Sequence, residues 1–264
     1  MKISVSGRLF LFLSLGVMTS MSFAQNDYTV IKVYGTITYK KLDRYLIKGD
    51  QFKDKEILIF KTNDSRAAVI SPEKGRLMIT NSSNNGTSGM NFVPGLSNIS
   101  TRSININSIY DIENEFSGQY LLLNRAKIPI SKNLYPQNDE SFFFIKYTFN
   151  KEEINKKLNF SGDTLVIDVK ELLQVDGKPI QLADNSQMKL YYYKNKSSEL
   201  ICEFTAVMPD KEALQKEIAI IVNTYTNKES KFVFDEIKAY LTEFYGKPND
   251  FDLNNWLKSV FLFK

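Results

Sequence analysis

The chain has 264 residues, of which 43% are hydrophobic, 24% charged and 13% aromatic, so its composition is that of a folded protein with a core. Its length favours one large or two small domains. The sequence contains no histidine, which excludes Ser-His-Asp and Cys-His hydrolases and histidine-ligated zinc sites. It also contains no glycine-rich phosphate-binding motif, so we expect no cofactor and predict no metal site.

The first 24 residues have the pattern of a signal peptide. Lys2 and Arg8 precede an apolar run from Leu9 to Met18, and Ser22-Phe23-Ala24 places small residues at the two positions that a signal peptidase reads. The apolar run is about half of the roughly 20 residues needed to cross a bilayer, and no later segment is long and apolar enough. We therefore expect cleavage after Ala24 and a periplasmic or extracellular protein that is neither membrane-spanning nor a lipoprotein.

The charge of the chain is nearly balanced once this leader is removed. The leader carries two of the 34 lysines and arginines and none of the 30 acidic residues, which leaves 32 cations against 30 anions, a net charge of +2. No basic stripe with interleaved aromatic residues occurs, so nucleic acid is not an expected partner.

Cys202 is the only cysteine, so no intramolecular disulfide can form. Leu200, Cys202, Phe204 and Ala206 alternate along one segment, which predicts that they share the buried face of a strand. We interpret Cys202 as a small buried hydrophobe, because a catalytic thiolate needs a base and the chain has no histidine to serve as one.

Residues 25–80 are predicted to form a small all-β domain. The segment 28–39 alternates with period two, and short apolar strands follow at 57–60, 66–71 and 76–79, separated by polar turns. Short strands at such close spacing favour a small barrel.

Five motifs in this domain carry a family resemblance. They are Gly35-x-Ile37, Ile47-Lys-Gly-Asp50, Ile57-x-x-Phe60, Ala68-Val-Ile-Ser-Pro72 and Lys74-Gly-Arg76. Together they resemble the FecR-like β domain at the N-terminus of exported envelope proteins of Gram-negative bacteria. The resemblance implies a non-catalytic domain that acts in binding or signal relay at the envelope.

The second half of the chain carries a similar likeness. Asp163-Thr-Leu, Val175-Asp-Gly-Lys-Pro-Ile180 and Phe244-Tyr-Gly-Lys-Pro248 are similar to an uncharacterised family of exported Gram-negative envelope proteins with a FecR-like front domain. This likeness implies a two-part architecture and supplies no catalytic residues.

Residues 81–100 are rich in Asn, Ser and Gly and lack a hydrophobic period, which favours a linker or loop. Residues 101–264 are predicted to form an α+β domain. Strand candidates continue to Val207, interrupted by a short helix capped by Asn150 and by a hairpin turn at Asp176-Gly177.

Three helices are predicted from about residue 210 onward. Asp210 caps the first, Gly246 ends the second, and the third begins near Leu253. The expected fold class is therefore a β-rich α+β fold: a small N-terminal all-β module followed by an antiparallel sheet domain that C-terminal helices close.

Carboxylates are the only acid–base groups left for catalysis. A glycosidase needs two of them held roughly 5 to 9.5 Å apart, a spacing that sequence does not reveal. The candidates in the central region are Asp139, Glu140, Glu152, Glu153, Asp163, Asp168 and Glu171. Asp250-x-Asp252-x-Asn254 begins like a calcium-binding EF-hand loop, but Asn255 stands where glycine is required, so these acids are interpreted as helix caps.

Two aromatic triplets, at 142–144 and 191–193, are the most unusual feature of the sequence. On a strand the middle residue of a triplet points away from its neighbours, so each triplet places rings on both faces of a sheet. One face can serve the core, whereas the other can bind a glycan or a protein. The residues chosen as the candidate binding site are Phe143, Tyr191 and Tyr193.

These observations predict a non-enzymatic exported envelope protein that acts by binding a protein partner or a cell-wall or surface glycan, as an accessory subunit of an envelope assembly. Two alternatives stay open. One is a carboxylate-dependent glycan hydrolase, and the other is a component of a trans-envelope signalling relay.

Overall fold

The computed structural model describes residues 27–81, 90–95 and 106–261. The predicted signal peptide, residues 1–24, lies outside the described residues. Within them the fold is β-rich with antiparallel sheets and C-terminal helices, which confirms the predicted fold class.

The amino-terminal part is entirely β. Its strands are β1 (Asp27–Tyr34), β2 (Ile37–Tyr39), β3 (Gln51–Lys53), β4 (Leu58–Phe60), β5 (Arg66–Ser71), β6 (Gly75–Asn81) and β7 (Met90–Pro94). Five of them form an antiparallel sheet in the order β3-β1-β5-β6-β7, and β2 pairs with β4 beside it. Tyr28, Val30 and Val69 lie in a core that this sheet encloses with β2 and β4.

Strand β7 corrects part of the predicted linker at 81–100. Residues 90–94 pair antiparallel with β6, and the remaining described residues of that segment are 81 and 95. The ring of Phe92 stacks on that of Tyr28 with centroids 5.0 Å apart. The polar run of residues 81–89 directly precedes this short apolar strand, so the composition of the whole segment 81–100 pointed to a linker.

The second part mixes strands and helices. Its elements up to residue 207 are α1 (Ile109–Glu115), β8 (Gln119–Leu121), β9 (Arg125–Pro129), β10 (Phe142–Phe149), β11 (Glu152–Lys157), β12 (Asn159–Ser161), β13 (Thr164–Asp168), α2 (Val169–Leu172), β14 (Gln174–Val175), β15 (Lys178–Pro179), β16 (Asn185–Lys194) and β17 (Ser197–Val207). The remaining elements are α3 (Lys211–Thr224), α4 (Ser230–Tyr245), β18 (Lys247–Pro248) and α5 (Asp250–Phe261).

A six-stranded sheet in the order β11-β10-β16-β17-β8-β18 dominates this part. Its first four strands are antiparallel, whereas β8 pairs parallel with both β17 and β18. One face packs on the three-stranded sheet β12-β13-β9, and the core between them includes Phe143, Ile145 and Leu165. The opposite face of β10 and β16 is left partly exposed.

The helix predicted to start at Asn150 is wrong: β10 and β11 form a hairpin there. Phe149 pairs with Glu152, so Asn150 and Lys151 make a two-residue turn, with φ of 50° and 69°. Positive φ at both positions is the geometry of a type I′ turn, and asparagine is common both in that turn and at helix N-caps. The predicted Asp176-Gly177 hairpin turn is confirmed.

The three C-terminal helices are confirmed. The side chain of Asp210 accepts a hydrogen bond from the Ala213 N–H at 2.7 Å and caps α3. Helix α4 ends at Gly246, whose φ of 92° favours glycine and whose Cα lies against the backbone of Gln119. Helix α5 begins at Asp250, a little before the predicted start.

These helices pack on both parts of the chain, not only on the preceding sheet. Their buried cluster includes Leu121 and Val207 from the six-stranded sheet and Ile31, Ala68 and Ile70 from the amino-terminal sheet. The alternate residues of β5, Ala67 and Val69, lie in the core enclosed by the amino-terminal sheet. Strand β5 is therefore buried on both faces. The amino-terminal sheet and the second part share one helical layer.

Polar contacts reinforce this shared layer. Lys32 of β1 donates to the Tyr245 hydroxyl at 2.5 Å and lies 3.7 Å from a carboxylate oxygen of Glu217. Glu217 is buried on α3 and accepts from the hydroxyls of Tyr240 and Tyr245. Burial lowers the pKa of Lys32. No helix within the described ranges has the length and apolar character needed to cross a membrane.

Candidate functional site

The two aromatic triplets lie side by side on β10 and β16. In the antiparallel register Phe142 faces Tyr193 and Phe144 faces Tyr191, while the middle residues face each other. The four outer rings project from the partly exposed face of the six-stranded sheet. We call Phe142, Phe144, Tyr191 and Tyr193 the aromatic platform.

The rings of the platform are arranged as two cross-strand stacks. Phe142 and Tyr193 have centroids 5.0 Å apart with an interplanar angle of 28°, and Phe144 and Tyr191 are 5.1 Å apart at 11°. Phe142 also contacts Phe144 along the strand, with centroids 6.5 Å apart. Cross-strand stacking at these distances is favourable, so the rings hold one another in place before any ligand arrives.

Phe143 does not belong to this surface. Its side chain has no solvent exposure and packs on the rings of Tyr192 and Tyr135 in the core. The reason is the alternation of side chains along a strand, which sends Phe143 to the opposite face from Tyr191 and Tyr193. Of the three predicted site residues, the structure brings together the two tyrosines and places the phenylalanine inside.

Polar and charged side chains surround the platform. Lys157 Nζ lies 4.4 Å from the ring centroid of Phe142, and Lys146 Nζ lies 5.4 Å from that of Tyr191, both within range of a cation–π interaction. Asn155 and Ser198 complete the lining of a surface depression of about 480 Å³. Apolar rings with a rim of hydrogen-bonding groups are the usual composition of a binding site for a small or extended ligand.

The acidic residues near the platform pair with its lysines. Glu153 lies 3.2 Å from Lys146 Nζ, and Asp139 lies 3.4 Å from Lys157 Nζ. Both pairs are exposed at the surface, where ion pairs contribute little to stability, so the amines stay accessible to a ligand.

Of the other predicted carboxylates, Asp168 and Glu171 lie together at the start of α2. Asp168 accepts two hydrogen bonds from Arg125 and caps α2, and Glu171 accepts one from Asn159. Asp163 lies in the turn between β12 and β13. In the part of the chain that the structure describes, no group of three or more acidic or cysteine side chains is placed to hold a metal ion.

A β-bulge changes the predicted burial of the strand that holds Cys202. Leu190 pairs with Cys202 and Tyr191 pairs with Leu200, so Ile201 is an extra residue on β17. Leu200 is therefore exposed, not buried as predicted, while Ile201 turns inward. Burial raises the pKa of the Cys202 thiol to about 12, which keeps it protonated at neutral pH.

The prediction missed Phe142 and Phe144, although the sequence contains a signal for them. Along β10, Lys146 and Thr148 share the parity of Phe142 and Phe144, and polar residues at those positions indicate the outer face. Applied to 142–149, this rule assigns the two flanking phenylalanines to the platform and the middle one to the core.

Comparison with known proteins identifies no family for this chain. No family model matches the chain, and no curated protein matches it. A solved structure described as Dscam1 isoform 1.9, N-terminal four Ig domains, aligns at 8% identity and a TM-score of 0.18. The alignment covers 69% of this chain and 45% of that one, so this chain spans less than half of its length. The likeness is too low to establish a shared fold.

Proposed function

We propose that this protein is an exported, non-enzymatic envelope protein that binds a glycan through the aromatic platform. The observation that carries the proposal is the pair of cross-strand ring stacks on an open sheet face. Sugar rings present an apolar face of C–H groups that packs flat on an aromatic ring, while their hydroxyls reach polar neighbours.

The platform suits an extended ligand better than a single sugar. Its two stacks lie side by side along β10, and the lining amines, amide and hydroxyl supply donors and acceptors at the edge. Rings fixed on strands lose little conformational freedom when a ligand binds, so more of the contact energy appears as affinity. Successive sugar units of a chain can occupy the two stacks together.

Support for the envelope location comes from the sequence. The predicted signal peptide directs the chain out of the cytoplasm, and the motifs between Gly35 and Arg76 resemble a FecR-like domain. The non-enzymatic part of the proposal draws on the missing histidines and on the raised pKa of Cys202. In this proposal the shared helical layer fixes the FecR-like sheet to the sheet that binds the glycan.

The proposal is tested by co-sedimentation of residues 25–264 with purified peptidoglycan sacculi, together with an array of soluble envelope oligosaccharides. We expect saturable binding to at least one of these glycans. Phe144→Ala and Tyr191→Ala should each weaken it about tenfold or more, as expected for central aromatic contacts.

Two further variants make the test specific. Tyr191→Phe keeps the ring and should retain most of the affinity. Tyr110→Ala removes an exposed ring of α1, well outside the platform lining, and should leave binding unchanged. Absence of binding to every glycan, or equal loss in Tyr110→Ala and Tyr191→Ala variants with native circular dichroism, would contradict the proposal.

A further inference from the structure

A second cavity, of about 740 Å³, lies away from the platform, where β9, α2 and β15 meet the first turns of α3 and α5. We call it the cationic cleft. Its lining residues are Asn124, Arg125, Lys127, Asp168, Val169, Lys170, Leu173, Pro179, Ile180, Lys211, Phe251, Asp252 and Asn255. This volume lies within the range of pockets that bind small molecules.

Four cations line this cleft. Arg125 and Lys127 are two residues apart on β9 and project from the same face of that strand. Lys170 comes from α2, and Lys211 is the first residue of α3. Cations from three elements are thus directed into one space, although they are far apart in the sequence.

Three of the cations are held in defined positions. Arg125 donates from Nε to Asp168 at 2.9 Å, and Lys211 donates to the side-chain oxygen of Asn124 at 2.7 Å. Lys127 Nζ lies 4.3 Å from the centroid of the Phe251 ring. A ligand that enters the cleft therefore meets positive groups that are already positioned, which lowers the entropic cost of binding.

The two acidic residues of the cleft offset only half of this charge. Asp168 is bound by Arg125 and by the N-terminus of α2. Asp252 is buried, and its carboxylate accepts hydrogen bonds from the backbone N–H groups of Leu123, Asn124 and Arg125. Four cations against two carboxylates leave an excess of two positive charges.

The wall of the cleft is apolar. Val169, Leu173 and Ile180 lie beside α2, and the ring of Phe251 lies on α5 with 39% of its surface exposed. Positive groups next to an apolar wall match a ligand with an anionic group and an apolar body.

We propose that the cationic cleft binds a small organic anion, a molecule in which an apolar body carries a carboxylate or a phosphate group. The anionic group contacts Lys127, Lys170 and Lys211, and the apolar body packs on Phe251 and the side chains of α2. This site is separate from the aromatic platform and does not depend on glycan binding there.

The proposal is tested by NMR titration of the ¹⁵N-labelled protein, residues 25–264, at constant ionic strength with four probes. Phenyl phosphate and benzoate carry both features, inorganic phosphate carries only the charge, and benzyl alcohol carries only the ring. We expect the first two to shift amide resonances of 124–127, 169–173 and 251–255, with the tighter of them identifying the preferred anionic group. Inorganic phosphate and benzyl alcohol should each bind at least about tenfold more weakly.

Single substitutions locate the site. Lys127→Met and Lys170→Met each keep an unbranched apolar stem and remove one charge, and each should weaken phenyl phosphate and benzoate by about tenfold. Lys258→Met removes an exposed charge from the other end of α5 and is the matched control, expected to bind as the parent protein does. The proposal would be overturned if no probe shifted these resonances, or if benzyl alcohol bound as tightly as phenyl phosphate and benzoate. It would also be overturned if Lys258→Met weakened binding as much as Lys170→Met.

Discussion

Asp252 ties the last helix to the strands beneath it, and replacing it should destabilise the whole protein. Both carboxylate oxygens are engaged: the N–H groups of Leu123 and Arg125 donate to them at 2.9 Å, and that of Asn124 donates to both at 3.0 Å. Asn249 in turn accepts from the Asp252 N–H at 3.2 Å, which makes Asn249, and not Asp250 or Asp252, the cap of α5.

The size of the effect follows from these contacts. A buried N–H that loses its partner costs about 1–3 kcal/mol, and Asp252→Ala leaves three of them, of which the Leu123 N–H lies deepest. Since water can reach the exposed residues Asn124 and Arg125, we expect a loss of about 3–5 kcal/mol. For a protein of this size that lowers Tm by roughly 6 to 20 °C.

Thermal and urea denaturation, followed by far-UV circular dichroism, measure this loss. Asp252→Asn should be destabilised as well, because an asparagine side chain has only one acceptor oxygen. Its NH₂ group would face backbone N–H groups that are themselves donors. Asn254→Ala changes an exposed position on the same helix and is the control, expected within about 0.5 kcal/mol of the parent protein. An Asp252→Ala variant as stable as Asn254→Ala would show that the hydrogen bonds of Asp252 do not stabilise the fold.

Three further predictions concern stability and use the same assays. Gly246→Ala should cost more than Gly162→Ala, because both residues have positive φ but only at Gly246 would a Cβ overlap neighbouring backbone; equal costs would contradict this. Phe143→Ala should lose about 3–5 kcal/mol as a core truncation while Phe144→Ala loses much less, and the reverse order would show that the two faces of β10 are exchanged. Burial raises the pKa of the Glu236 carboxyl above its usual value of 4.5, so the folded state binds the carboxyl proton more tightly than the unfolded state does. The free energy of unfolding therefore falls as pH rises from 4.5 through the raised pKa. Glu236→Gln cannot titrate, so its stability relative to the parent protein should increase from about pH 4 to pH 7; a constant difference would contradict the assignment.

The helices were predictable because their signals are local. Asp210 caps the start of α3, Gly246 follows the end of α4, and apolar residues repeat with a helical period in both, so each signal lies within or next to the helix that it defines. The turn at Asn150 was not, because asparagine serves both as a helix cap and in a type I′ turn, and the pairing of β10 with β11 decides between them.

The site was only partly predictable for a related reason. A run of three aromatic residues has no alternation of its own, so the triplets predict rings on both faces but do not say which face is inside. In β10 the polar residues Lys146 and Thr148, which have the parity of Phe142 and Phe144, indicate the outer face, and Phe143 accordingly lies in the core with residues of β9 and β13. The cationic cleft could not be predicted at all, since Arg125, Lys170 and Lys211 meet only through the tertiary fold.

In the proposed function, the outer face of β10 and β16 binds glycan. The most direct measurement is NMR mapping of residues 25–264 with soluble disaccharide-peptides released from sacculi by a muramidase. If this face binds glycan, the shifts are concentrated at 142–146, 155–157 and 191–193, disappear in Tyr191→Ala and persist in Tyr110→Ala. Shifts confined to any other surface, or none at saturating ligand, would contradict it.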